Sequence, residues 1–235
     1  LSPLFRSKDN TVQNVNLIVM SPLKAVRRPN EKVLLTRKFV DGMALYRELW
    51  KGPTTLLCEP SEIESDNLDN IEISIEHGPF KTICKPFSDS GLSKLLSGPS
   101  VVMTGGGKVL SFVNAVCRRA NVPCVYVTEY SLKTRLQIVK AERQSLLRRA
   151  VRSLRQIQQE VALRRAISLA DGVQCNGTPT YSAYKSLTPR PLLFFDTRAN
   201  EDILTTPERI SARSANLMER PIHLVFSGRL KLMKG

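Results

Sequence analysis

The chain has 235 residues, 42% of them hydrophobic and 24% charged, which is the balance of a globular protein able to bury a core. No stretch approaches the roughly 18–20 apolar residues of a membrane-spanning helix, which excludes a helical integral membrane segment in this sequence. Thirty-five Lys and Arg against 21 Asp and Glu leave a net charge of +14, so an anionic partner is expected: phosphate, nucleic acid or an acidic lipid surface.

Strand and helix patterns alternate from the start. Val15–Met20, apolar but for Asn16, is closed by Ser21-Pro22, as in a strand covered on both faces. From Asn30 to Trp50 the residues Leu35, Phe39, Met43, Tyr46, Leu49 and Trp50 recur at helical spacing, and Gly52-Pro53 stops the run. Thr54–Cys58 reads as a strand. Ile71, Ile73 and Ile75 alternate with polar residues as in a half-exposed strand, and Lys81–Cys84 fits another short one. Ser100–Thr104, the turn Gly105-Gly106-Gly107, a helix over Lys108–Ala120 and the strand Cys124–Thr128 form a βαβ unit of about 30 residues.

Leu132–Leu169 is the longest helical pattern, interrupted once. Its residues Leu147, Ala150, Leu154, Ile157 and Val161 make a narrow stripe expected to face the core. Between Leu132 and Ala166 stand ten basic residues and two acids, Glu142 and Glu160, so more than half of the charge excess sits there. Val173–Cys175 and Leu192–Phe195 are further strands. Asn176-Gly177-Thr178-Pro179 opens a helix, and Thr206-Pro207-Glu208 opens another that runs to about Met218. Ile222–Phe226 is the last strand. Six or more strands alternating with helices predict an α/β fold, a doubly wound parallel sheet of Rossmann-like type. Ligands of such sheets bind beyond the carboxyl ends of the strands, so residues just after strands are the candidates.

Gly105, Gly106, Gly107 and Lys108 follow a strand and open a helix, where free N–H groups and the helix dipole attract an anion. The run departs from GxxxxGK[ST], having Val102 and Val109 at two required positions, and from GxGxxG, having Leu110 at the last glycine. A ligand-free turn is the competing reading. Glu129 directly follows the strand Cys124–Thr128, where a carboxylate orients a hydroxyl or serves as a base; an N-cap or a surface ion pair is the alternative. His77 and His223 have no ligand spacing around them, and no metal cluster or paired-carboxylate motif is recognisable. The five cysteines (Cys58, Cys84, Cys117, Cys124, Cys175) are well separated with no CxxC pair, which reads as buried reduced thiols of a cytosolic protein. The basic segment 132–166 admits three readings: a solvated face, contact with an anionic membrane surface, or nucleic-acid binding. A 6% aromatic content without a stacking platform speaks against the last, and no nucleic acid is expected.

The tail, Ile222-His223-Leu224-Val225-Phe226-Ser227-Gly228-Arg229-Leu230-Lys231-Leu232-Met233-Lys234-Gly235, resembles the first strand and loop of the donor domain in family 4 glycosyltransferases of GT-B fold. Their pattern is an apolar strand, G-R-L, a short spacer and K-G. Ala170-Asp171-Gly172-Val173 likewise resembles that family's A-D-x-V strand after a long helix. The resemblance covers most of the chain in order of elements and about 20 residues by motif. It implies a GT-B N-terminal, acceptor-side domain over 1–219 and the start of a truncated donor-binding domain over 220–235. Arg229 and Lys234 would neutralise the donor diphosphate, with Gly228 allowing close backbone approach. Gly105, Gly106, Gly107, Lys108 and Glu129 would line the acceptor cleft, with Glu129 the catalytic candidate.

The implied reaction transfers a sugar from a nucleotide-sugar donor, with retained anomeric configuration, no obligatory metal and no cofactor besides that co-substrate. The acceptor would be a polysaccharide, glycolipid or other glycan, in a cytoplasmic enzyme peripheral to the inner face of the membrane. The sequence departs from the family in lacking glycine in Ser21-Pro22-Leu23-Lys24, in carrying Glu129 where many members have histidine, and in lacking the later E-x7-E donor motif. The given chain is therefore expected to be inactive alone. A sugar-nucleotide epimerase of the same fold, and a non-catalytic basic module binding anionic lipid or polymer, are the alternatives.

Overall fold

The structure, a computed structural model, describes residues 14–64, 69–106, 112–196 and 204–215. Strands β1 (Asn16–Met20), β2 (Ala25–Arg28) and β3 (Lys32–Thr36) precede helix α1 (Arg37–Leu49). Next come β4 (Thr54–Cys58), β5 (Pro60–Ser61), β6 (Asn70–Ser74), β7 (Lys81–Cys84), α2 (Asp89–Leu95), β8 (Ser100–Thr104), α3 (Val113–Arg119) and β9 (Cys124–Thr128). The remaining elements are α4 (Leu132–Ala141), α5 (Leu146–Ser168), β10 (Gly172–Asn176), α6 (Thr178–Tyr184), β11 (Pro191–Phe194) and α7 (Pro207–Ala215).

Seven strands form one sheet in the order β11-β10-β9-β8-β1-β4-β7, and every neighbouring pair is parallel. This is the doubly wound parallel sheet that the alternation of elements predicts. Strand periodicity sorts its side chains to two cores. Ile18 and Met20 of β1 join Val102, Tyr126 and Val173 under α2, α3, α5 and α6. Leu17 and Val19 turn the other way, joining Leu56, Met103 and Val40 and Met43 of α1. Continuous apolar runs such as Leu17-Ile18-Val19-Met20 follow from burial on both faces.

The segment 30–50 is not one helix. Asn30 and Glu31 adopt left-handed backbone conformations (φ 57° and 53°) and turn the chain between antiparallel β2 and β3. Val33 and Leu35 point inward at strand spacing, and α1 begins only after Thr36, whose hydroxyl accepts from the Phe39 amide. The second sheet, in the order β5-β2-β3-β6, packs on the same side as α1. Ile71, Ile73 and Ile75 belong to this side as expected.

The stripe Leu147, Ala150, Leu154, Ile157 and Val161 does not face the core. All five are exposed, Leu147 at 76% and Val161 at 64%. The buried residues of α5 are Glu160, Leu163, Ala166 and Ile167, all in its second half. The inward face of the first half is polar and meets α4. Arg152 donates to both carboxylate oxygens of Glu142, and Arg135 donates to Glu160. The single interruption expected in 132–169 is the bend between α4 and α5.

Two polar contacts tie the core together. Asp171 accepts from the Cys124 amide (2.8 Å) and donates its own amide to the Cys124 carbonyl (2.9 Å), fixing the start of β9 against the turn into β10. This gives the aspartate of Ala170-Asp171-Gly172-Val173 a structural task. Tyr184, wholly buried, donates to Glu160 (2.9 Å). All five cysteines are free and buried. The strand expected over 222–226 lies outside the described residues.

Losing the Asp171 acceptor leaves a buried amide unpaired, so Asp171→Ala is expected to lower unfolding free energy by about 1–3 kcal/mol. Asp171→Asn, which keeps an acceptor, should lose less in the same denaturant titration. Burial, with the bond to Glu160 and its charge, pushes the Tyr184 hydroxyl from 10.0 up to about 12, against a smaller opposing effect of Arg135. The folded chain keeps this proton where the unfolded chain releases it. The stability so gained is complete below pH 10.0 and is lost as pH rises toward about 12, on the order of 2–3 kcal/mol in all. Tyr184→Phe should flatten this alkaline limb in a series of pH-resolved melts; an unchanged slope would refute the assignment.

Candidate active-site crevice

The strand order places a reversal at β1. From β1 the chain builds outward through β4 and β7, then crosses back to β8 and builds the other way through β9, β10 and β11. The chain leaving β1 and the chain leaving β8 therefore lead to opposite faces of the sheet, and the edge between them is the usual ligand position of open α/β sheets.

Two short segments wall it. After β1, buried Ser21 accepts from the Leu23 amide (3.0 Å) through its Oγ and shapes the turn Ser21-Pro22-Leu23. After β8, Gly105 lies opposite: a Cβ there would stand 3.5 Å from Pro22 Cγ. The first loop lacks glycine, and the close approach of the two walls is met by Gly105 instead. A Cβ on Gly106 would meet nothing within 4 Å, so this residue faces open space. Gly107 and Lys108 lie outside the described residues.

Glu129 stands at the carboxyl end of the next strand, β9, exposed and without an ion pair among the described residues. It precedes Ser131, whose Oγ accepts from the Thr134 amide and caps α4; the N-cap task thus falls to Ser131 and not to Glu129. One strand further, Gly177 takes φ 81°, a conformation that a side chain would strain, between β10 and α6. Its amide donates to the Phe194 carbonyl (2.8 Å), holding the ends of β10 and β11 level. Gly105, Gly106 and Glu129 are thus brought to one edge of the sheet on adjacent strands. The donor-side residues Gly228, Arg229 and Lys234 lie outside the described residues.

One charged pair at this edge has no counterpart in the sequence reading. Lys38, in the first turn of α1, forms an ion pair with Asp196, just past β11, and the Asp196 amide donates to Asn176 (3.2 Å). Burial first, and the Asp196 charge second, raise the Tyr46 hydroxyl. Asp196 satisfies the same rule that selects Glu129, a carboxylate after a strand. Lys38 was hidden because the pattern across 30–50 conceals where α1 begins. His77 is exposed beside Glu76, away from these strand ends.

The chemistry open to the crevice is the binding and orientation of a hydroxyl-bearing ligand. Backbone at Gly105-Gly106 allows close approach, and the Glu129 carboxylate can accept a hydroxyl proton.

No family model and no curated protein matches the chain. Solved structures that it is similar to include UGT2 of Phytolacca americana complexed with UDP-2fluoro-glucose and pterostilbene, at 11% identity and a TM-score of 0.42 over 82% of this chain. A ugt transferase from Siraitia grosvenorii in complex with UDP aligns at 10% identity and a TM-score of 0.45 over 87%. UGT89C1 of Arabidopsis thaliana complexed with UDP-L-rhamnose aligns at 13% identity and a TM-score of 0.41 over 85%. The alignments take in 55%, 55% and 54% of those chains, so this chain spans about half the length of the structures it matches.

Proposed function

We propose that the chain is the acceptor-side half of a retaining, family 4-like GT-B glycosyltransferase that moves a sugar from a nucleotide-sugar onto a glycan or lipid-linked acceptor. The observation that carries this reading is the position of Gly105-Gly106 at the reversal of strand order, with Glu129 one strand away. The tail Gly228-Arg229-Leu230…Lys234-Gly235 supports it, being the resemblance that supplies the donor-binding cations.

In this reading residues 220–235 would belong to the donor-binding domain. The Arg229 fork and the Lys234 ammonium lie on the diphosphate, taking up the negative charge that grows as the bond from anomeric carbon to phosphate oxygen breaks. The acceptor hydroxyl, held at Gly105-Gly106, forms the new bond to that carbon and gives up its proton, and Glu129 is the candidate to orient it or receive the proton. Holding both partners in one water-poor crevice is what the two-lobed arrangement contributes beyond the charges.

Two measurements test this in a protein that carries the donor lobe. Arg229→Ala should weaken sugar-nucleotide binding about 10–100-fold by calorimetry, the value of a charged hydrogen-bonding fork; unchanged affinity removes the donor role. Gly106→Leu extends into open space, so melting temperature and donor affinity should stay unchanged while acceptor KM rises. If acceptor kinetics do not move, the acceptor lies elsewhere.

A further inference from the structure

We propose that the α4–α5 hairpin is a docking arm for an anionic lipid leaflet. Its shape follows from the topology. Helix α5 has 23 residues, about 35 Å, whereas the five-residue strands beside it span about 17 Å. It ends at the amino edge, where β10 begins, so its first half extends beyond the carboxyl edge. Helix α4 runs beside it in the opposite sense: Arg135 pairs with Glu160 near the sheet, and Glu142, at the end of α4, pairs with Arg152 further out.

The face of α5 turned to α4 is polar, beside the buried Val139 of α4, and its opposite face is apolar. At about 100° per residue, Leu147, Ala150, Val151, Leu154, Ile157 and Val161 occupy an arc of about 120°. Arg152, Gln156 and Glu160 lie on the opposite side and meet α4. Every residue of the outward arc is exposed. Aliphatic side chains set at helical spacing on the wet face are not needed for packing of the described elements.

Charge identifies the occupant. Arg143, Arg148 and Arg155 line one open groove with Leu147 and Val151, and none of the three forms an ion pair among the described residues. Glu142 lies on the same groove, neutralised by Arg152, and Glu160 is held inward by Arg135, Arg164 and Tyr184. Residues 143–165 contain no other acid. A second copy docked stripe to stripe would set arginines near arginines with no acid to relieve them. An acidic leaflet accepts both halves of the pattern, with aliphatic tips at the acyl boundary and guanidinium groups at the phosphates. Among the described residues no helix is long and apolar enough to cross a membrane, so the contact is peripheral.

The inference rests on the arm and not on the sugar-nucleotide reading, and its test leaves that reading untouched. The full chain is floated with vesicles of phosphatidylcholine alone or mixed with phosphatidylglycerol, at about 0.1 M and about 0.5 M salt. Binding is expected only with phosphatidylglycerol and weaker at the higher salt. The double variant Leu147→Gln/Leu154→Gln and the triple variant Arg143→Gln/Arg148→Gln/Arg155→Gln should each lower partitioning about tenfold or more. All five positions are solvent-facing on the arm, so circular dichroism and melting temperature should match the parent and exclude misfolding as the cause. The proposal is overturned if the parent chain does not float with acidic vesicles, or if the leucine variant floats as well as the parent, which indicates a purely electrostatic polyanion site. It is also overturned if the stripe mediates a concentration-dependent dimer that Leu154→Gln dissolves.

Discussion

A parallel sheet with both faces buried can offer ligands only its ends, and this constraint governs the rest of the molecule. Helices α2, α3, α5 and α6 cover one face of the seven strands, and α1 with the small second sheet covers the other. Each face is dense with buried side chains, Ile18, Val102 and Tyr126 on one and Val33, Met43 and Leu56 on the other. At about 1.5–3 kcal/mol for each large apolar side chain, opening either face for a ligand would cost more than a small molecule returns. The carboxyl edge is different because the connections there need not close. Where strand order reverses, between β1 and β8, they part, and Pro22 and Gly105 face each other.

The α4–α5 arm obeys a different rule. Its interior is held by Arg135, Glu160, Tyr184, Arg152 and Glu142, groups that are costly to remove from water and add little net stability when paired. What such pairs supply is register. A guanidinium that must meet one carboxylate fixes how far α4 slides along α5, whereas a layer of leucines would tolerate several alignments. With register set by charge, Leu147, Val151, Leu154 and Val161 of α5 are released from packing and stand on the outside. Contact with an acidic leaflet, as proposed above, would account for inverted amphipathicity of this kind.

Much of the sheet was legible from composition and period alone. Leu17–Met20, Leu56–Cys58, Val101–Met103 and Cys124–Val127 are uninterrupted apolar runs, the pattern that a strand covered on both faces calls for. The errors have physical sources. In 30–50, Leu35 satisfies both the strand period of β3 and the helical period continued by Phe39 and Met43, so the hairpin turn at Asn30-Glu31 was the deciding signal and was missed. On α5 the spacing of Leu147, Leu154 and Val161 identifies a stripe correctly but cannot say what it faces. That depends on Arg135 and Glu142 at the α4 side, which no local pattern reveals. The crevice was half legible: Gly105 and Glu129 follow strands in sequence, but their adjacency depends on β8 and β9 being neighbours. The Lys38–Asp196 pair, 158 residues apart, depends on tertiary structure alone.

Arm and strand edge are joined at two places. Glu129 is separated from α4 only by Tyr130 and the capping Ser131, so the loop that carries the carboxylate is also the root of the arm. The arm is braced a turn later through Arg135 to Glu160, and Glu160 is held by Tyr184 at the end of α6, whose beginning at Gly177 borders the same edge. An arm lying on a surface would hold this edge of the sheet at a set height and angle to it. For an acceptor whose reactive hydroxyl projects from a lipid headgroup, that fixed height replaces much of the positional freedom that free diffusion leaves to be overcome, which is the largest entropic cost of bringing two substrates together.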